Sequence, residues 1–213
     1  MIQRMFVLLG LMAAAGTLGA EPLVDGDPEA GAEKAAVCAS CHGPNGNSSN
    51  PQWPSLAGQN ARYIVQQLQL FKSGQRDNAI MMGQAAALSE QDMKDLAVYF
   101  ARQQPKPGVA DESLVEAGQK LYFGGDAEDE VPACAGCHGP AGQGNAAAGY
   151  PSLSGQHAEY VASRLKAYRD GDVPETAHAA IMTGVAEGLS DADIEAVSSF
   201  VNGLRPASGA ETE

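Results

Sequence analysis

Cys38-Ala39-Ser40-Cys41-His42 recurs as Cys134-Ala135-Gly136-Cys137-His138, and the two pentapeptides hold all four cysteines of the chain and two of its four histidines. Two thiols three residues apart share one turn of backbone, where they add to the two vinyl groups on one edge of a porphyrin. The next residue then projects its imidazole over the ring as the proximal iron ligand. Two other chemistries use paired cysteines. A thioredoxin-like redox disulfide does not require the following histidine. Zinc-ribbon pairs lie about 15–20 residues apart, far closer than these. The reading is therefore two covalently attached haem c groups, one through Cys38 and Cys41 with His42 below the iron, the other through Cys134 and Cys137 with His138.

The motif is part of a longer repeat. Glu29-Ala30-Gly31 returns as Glu116-Ala117-Gly118, Pro54-Ser55-Leu56-Ala57-Gly58-Gln59 as Pro151-Ser152-Leu153-Ser154-Gly155-Gln156, Ile80-Met81-Met82-Gly83 as Ile181-Met182-Thr183-Gly184, and Leu88-Ser89 as Leu189-Ser190. The order is the same in both halves, and the offset grows from 87 to 96, 97 and 101 residues, so the second copy carries small insertions. The largest precedes its haem motif, between Gly124 and Val131, and reads as an acidic surface loop. The chain is a tandem duplication of one unit of roughly 90 residues, an adequate size for an independent domain. The first domain is expected over residues 21–104 and the second over 113–205. A linker at 105–112, marked by Pro105, Pro107 and Gly108, joins them, and a loose tail follows at 206–213.

Each copy is expected to be helical. Asp27 can cap a first helix with Pro28 at its first position, running into the haem motif. Asn60 can cap a second, from Ala61 to Ser73, closed by Gly74, with Ile64, Leu68 and Phe71 on one face. Ser89 and Asp92 form a capping-box-like pair before a last helix. Met93, Leu96, Ala97 and Phe100 make a core stripe along it, matched by Ile194, Val197, Ser198 and Val201. The segments 43–52 and 139–149 are rich in Gly, Asn and Pro and read as loops; no strand pattern is evident.

A haem held by one histidine has an open sixth position, and its occupant decides between electron transfer and chemistry on a bound molecule. Met81 and Met182 fall at matched positions. Met82 is matched by Thr183, and Met93 by Ile194 on the core stripe, so Met81 and Met182 are the expected axial ligands; the competing reading is two gap-filling core methionines. His157 matches Asn60 and reads as a surface residue. His178 lies four residues before Met182 and could replace it in some state. The loops around Pro54 and Pro151 are placed either to offer a carbonyl to His42 and His138 or merely to fix the chain. Tyr63 and Tyr160 are matched, for hydrogen bonding to propionates or for packing. No catalytic residue is expected.

At the N-terminus, Arg4, the apolar run Met5–Leu18 and the small residues up to Ala20 form a secretory signal peptide over residues 1–20. The run is shorter than the roughly 20 residues of a membrane-spanning helix, which leaves an uncleaved anchor as the weaker reading. Export agrees with the haem motifs, because bacterial haem attachment takes place outside the cytoplasmic membrane. The chain has 13 Lys and Arg against 26 Asp and Glu, a formal net charge of −13. Such a surface disfavours nucleic acid and anionic lipid and suits basic protein surfaces, or simply solubility.

The ordered, duplicated set of motifs resembles the dihaem cytochromes c4, tandem class I cytochromes c, over both halves of the mature chain. The resemblance implies an all-α protein of two small domains, each folded around a covalent haem, related by a pseudo-twofold axis with the haems near their interface. It implies His/Met ligation by His42 with Met81 and His138 with Met182. It implies a periplasmic electron carrier rather than an enzyme, often associated with the membrane periphery. Its redox partners would be a donor such as a quinol–cytochrome c reductase and an acceptor such as a terminal oxidase. The competing functions are a haem enzyme, either a dihaem peroxidase or a thiosulfate-oxidising cytochrome, and a haem subunit of a larger complex.

Overall fold

The computed structural model describes residues 23–205, which form nine α-helices and no strand. The expected signal peptide and C-terminal tail lie outside the described residues. Among those residues no helix is long and apolar enough to cross a membrane.

The first domain contains α1 (Pro28–His42), α2 (Ala61–Lys72), α3 (Ala79–Ala86) and α4 (Glu90–Ala101). Asp27 caps α1, its carboxylate accepting from Glu29 N and Ala30 N, and Pro28 occupies the first turn where no donor is needed. Gly31 explains the repeated Glu-Ala-Gly. α1 crosses α4 there so closely that a Cβ would collide with the Asp95 carbonyl. The stripe on α4 is the core: Met93, Leu96, Ala97 and Phe100 are all buried. α4 opens with a full capping box between Ser89 and Asp92.

The second domain repeats the plan with α5 (Val115–Gly124), α6 (Ala135–His138), α7 (Ala158–Arg169), α8 (Ala177–Ala186) and α9 (Asp191–Gly203). Gly118 meets the Ala196 carbonyl as Gly31 meets that of Asp95, and Ser190 and Asp193 repeat the capping box. Ile194, Val197, Ser198 and Val201 are buried as expected; Ser198 Oγ has no hydrogen-bond partner.

Three expectations change. The helix entering the haem motif is continuous only in the first domain; in the second it stops at Gly124, and the motif forms the separate single turn α6. The intervening acidic loop is not wholly superficial. It closes through paired Asp126 and Val131 backbones, and Val131 is buried in the domain core. Asn60 stands at the start of α2 but makes no capping bond, because its side chain is used elsewhere.

Candidate haem sites

Both haem motifs end a helical turn, and the next residue reverses the chain. Gly43 and Gly139 hold φ of 78° and 77°, a conformation that favours glycine, and a Cβ on Gly43 would collide with the Asn47 carbonyl. The reversal brings the Pro-Ser-Leu segments over the histidines. Gly46 O accepts from Leu56 N and Ala57 N in the first domain; Gly142 O accepts from Leu153 N and Ser154 N in the second. So anchored, Pro54 O accepts from His42 Nδ1 at 2.8 Å and Pro151 O from His138 Nδ1 at 3.0 Å. The prolines supply the carbonyl acceptor, as one of the two sequence readings had it. The bond fixes each ring's tautomer and leaves Nε2 available for iron. Burial lowers the pKa of both imidazoles against the opposing pull of the Pro54 and Pro151 carbonyls, the direction that favours the uncharged ring.

One continuous cavity of about 650 Å³ runs through both domains. Cys38, Cys41, His42 and Met81 line its first lobe, and Cys134, Cys137, His138 and Met182 its second. Its walls are apolar, with Leu56, Ile64 and Phe100 on one side and Tyr122, Val161 and Val201 on the other. α3 carries Met81 three residues past its cap, Asn78, whose side chain accepts from Met81 N; α8 begins a turn earlier in the repeat, its cap Thr176 accepting from Ala179 N, and carries Met182 six residues past that cap. None of the four cysteines is in a disulfide. Burial raises the Cys38 thiol and pushes that of Cys134 up to about 11. No group of three or more potential metal-binding His, Cys, Asp or Glu converges among the described residues. Paired thiols, a neutral imidazole, a thioether on another helix and apolar walls fit haem c in each lobe.

His178 lines the second lobe with its ring 5.4 Å from that of Tyr150. Tyr63 and Tyr160 also line the cavity, and Tyr160 Oη accepts from Arg76 Nη2 at 3.1 Å across the domain boundary.

The lobes meet at an interface built by residues that carry no interdomain signal in the sequence. Gln59 Nε2 donates to Ser152 O at 2.9 Å while its Oε1 accepts from Ser152 N at 2.7 Å. Gln156 does the same to Ser55, at 2.9 Å on both arms. Flanking them, Asn60 Nδ2 donates to Tyr150 O, and His157 Nε2 bonds to Ser48 O at 2.9 Å. His157 is thus a half-buried interface residue and not a surface one. The only advance signal was the matched Gln closing each Pro-Ser-Leu-x-Gly-Gln segment.

A family profile described as Cytochrome c matches residues 28–103 and again 115–205. Cytochrome c4 of Azotobacter vinelandii is 48% identical over 188 residues, covering 84% of this chain and 90% of that protein. The structure of reduced recombinant cytochrome c4 from Pseudomonas stutzeri superposes with a TM-score of 0.82 at 46% identity, covering 85% of this chain and all of that one. A protein of Thiomonas intermedia named thiosulfate dehydrogenase electron acceptor is 35% identical, with 93% of each chain covered. With two haem c attachment motifs, one in each tandem cytochrome c domain, the chain belongs to the cytochrome c4 family of dihaem electron-transfer proteins.

Proposed function

We propose that the protein is a periplasmic electron shuttle, exported by the signal peptide at residues 1–20, that takes single electrons from a respiratory donor and passes them toward a terminal oxidase. Cys38 and Cys41, and Cys134 and Cys137, hold the two porphyrin edges. His42 with Met81 and His138 with Met182 would hold the two irons. When bound, haem supplies one-electron exchange at iron, and thioether ligation raises its potential. The chain's part is to keep that exchange free of rearrangement. Pro54 and Pro151 lock the imidazoles, α3 and α8 present the thioethers, and buried walls keep water from the lobes. The acidic surface steers basic partners.

The observation that carries this reading is that each lobe is lined by an anchored His and by a Met at the matched position: with that pair holding the iron, haem in either lobe would offer no open position to peroxide. The name of the Thiomonas relative also describes an acceptor of electrons, and supports a carrier over a thiosulfate-oxidising enzyme. The test is stopped-flow kinetics with a quinol–cytochrome c reductase as donor and a terminal oxidase as acceptor, over a range of ionic strength. Rapid reduction and oxidation, slowed by salt with a basic partner, are expected. Substantial turnover of peroxide or thiosulfate by the isolated protein, with poor delivery to any oxidase, would overturn the proposal.

A further inference from the structure

The interface glutamines do more than join two domains. Ser55 N, which donates to Gln156 Oε1, belongs to the same peptide group as Pro54 O, which accepts from His42 Nδ1. A single peptide plane therefore lies between a side chain of the second domain and the histidine of the first. The reverse arrangement is present as well: Gln59 Oε1 accepts from Ser152 N, and Pro151 O of that same peptide accepts from His138 Nδ1. Both glutamines are buried, at 6% and 7% exposure. Their orientation is fixed, because the second arm of each amide must donate to a serine carbonyl and only Nε2 can do so.

We infer that Gln59 and Gln156 are crossed positioning residues, each setting, through one peptide group, the strength of the hydrogen bond accepted from the histidine of the other domain. Accepting from a peptide N–H polarises that peptide and makes its carbonyl a better acceptor, since linked hydrogen bonds strengthen one another. A better acceptor at Nδ1 makes the imidazole a more basic ligand, which favours ferric over ferrous iron and lowers the potential. The inference rests on the proposed ligation of iron by His42 and His138. Its consequence is that the potential of each centre is set partly from the neighbouring domain, and any change in domain packing reaches both centres through these two amides.

The test is a haem-resolved redox titration of the full holoprotein, following paramagnetic NMR signals assigned to each haem by their contacts with the surrounding domain. Gln156→Met keeps the side chain's length and removes both arms. It should raise the midpoint of the haem in the first domain and leave that of the second unchanged; Gln59→Met should do the converse. His157→Ala removes an interface bond to Ser48 O that lies off the relay and should move neither. Equal shifts of both haems in a glutamine variant, no shift in either, or the same shift in His157→Ala would overturn the inference. So would loss of low-spin character in both glutamine variants, because a relay that only tunes the imidazole leaves ligation intact. A wild-type spectrum lacking histidine-ligated low-spin iron would instead defeat the ligation reading beneath it.

Discussion

The two domains build one helix crossing from different materials. In the first, Asp95 on α4 is 3% exposed and accepts from Asp27 N, Gln91 Nε2 and Lys34 Nζ, so a buried carboxylate ties α4 to the start of α1. In the second, Ala196 stands at the matched position, and the crossing is closed by Tyr122, Phe123 and Phe200, with ring centroids 5.2–6.0 Å apart. The volumes also trade places. Ala35 and Phe100 share the first core, while their counterparts Tyr122 and Val201 share the second. A small residue on one helix is answered by a large one on the other, in opposite senses. What the duplication preserves is filled space and a glycine at the crossing, not the identity of the packing residues.

The sharpest way to break this comparison is to empty the larger side chain of each pair. Tyr122→Ala should cost the second domain about 3–5 kcal/mol, as for other large-to-small core substitutions, and Phe100→Ala should cost the first domain a similar amount. Denaturant unfolding followed by the absorbance of the haem in each domain would show it. A loss confined to one variant would mean the two cores are not filled by the same rule. Gly31→Ala and Gly118→Ala come next. Each new methyl meets a backbone carbonyl that cannot move aside, so each should lose about 1–3 kcal/mol, and the two losses should match.

Acid should separate the domains. The Asp27 backbone N–H, working against the cost of burial and helped by Gln91 and Lys34, holds the Asp95 carboxyl below the usual carboxylate range. A depressed folded-state pKa contributes stability that is complete above the unfolded value, about 3.9 for Asp, and is lost as pH falls through the folded value. Asp95→Ala should therefore destabilise the first domain at neutral pH by about 1–3 kcal/mol, leaving the Asp27 N–H without its acceptor. The gap between variant and wild type should close as the pH drops below the ordinary carboxylate value. Thermal melts at stepped pH would measure it; a gap independent of pH would contradict the carboxylate's role. Smallest, Ser89→Ala and Ser190→Ala should each cost about 1 kcal/mol, and equally, because the two capping boxes are the same device.

Much of this was legible in the sequence because its signals are local. The caps at Asp27 and Ser89, the stripes on α4 and α9, and the haem motifs each depend on residues within a few positions of one another. The interface was not, because it depends on pairs such as Gln59 with Ser152 that no local pattern links. Asn60 shows the conflict plainly. It is a good capping residue by type, yet its amide donates to Tyr150 O in the other domain and leaves the helix start to the backbone. His157, its counterpart, likewise bonds across the boundary, to Ser48 O. The break before α6 was visible only as an insertion, since nothing in an acidic segment marks Val131 as the residue that turns inward.

The proposed ligation of each iron, by His42 with Met81 and by His138 with Met182, is read directly by the near-infrared charge-transfer absorption of thioether-bound ferric iron. The oxidised wild-type protein should show the band from both haems, Met81→Ala and Met182→Ala should each remove one share of it, and Met82→Ala should leave it whole. Loss of the band in Met82→Ala with retention in Met81→Ala, or no such band at all, would contradict it.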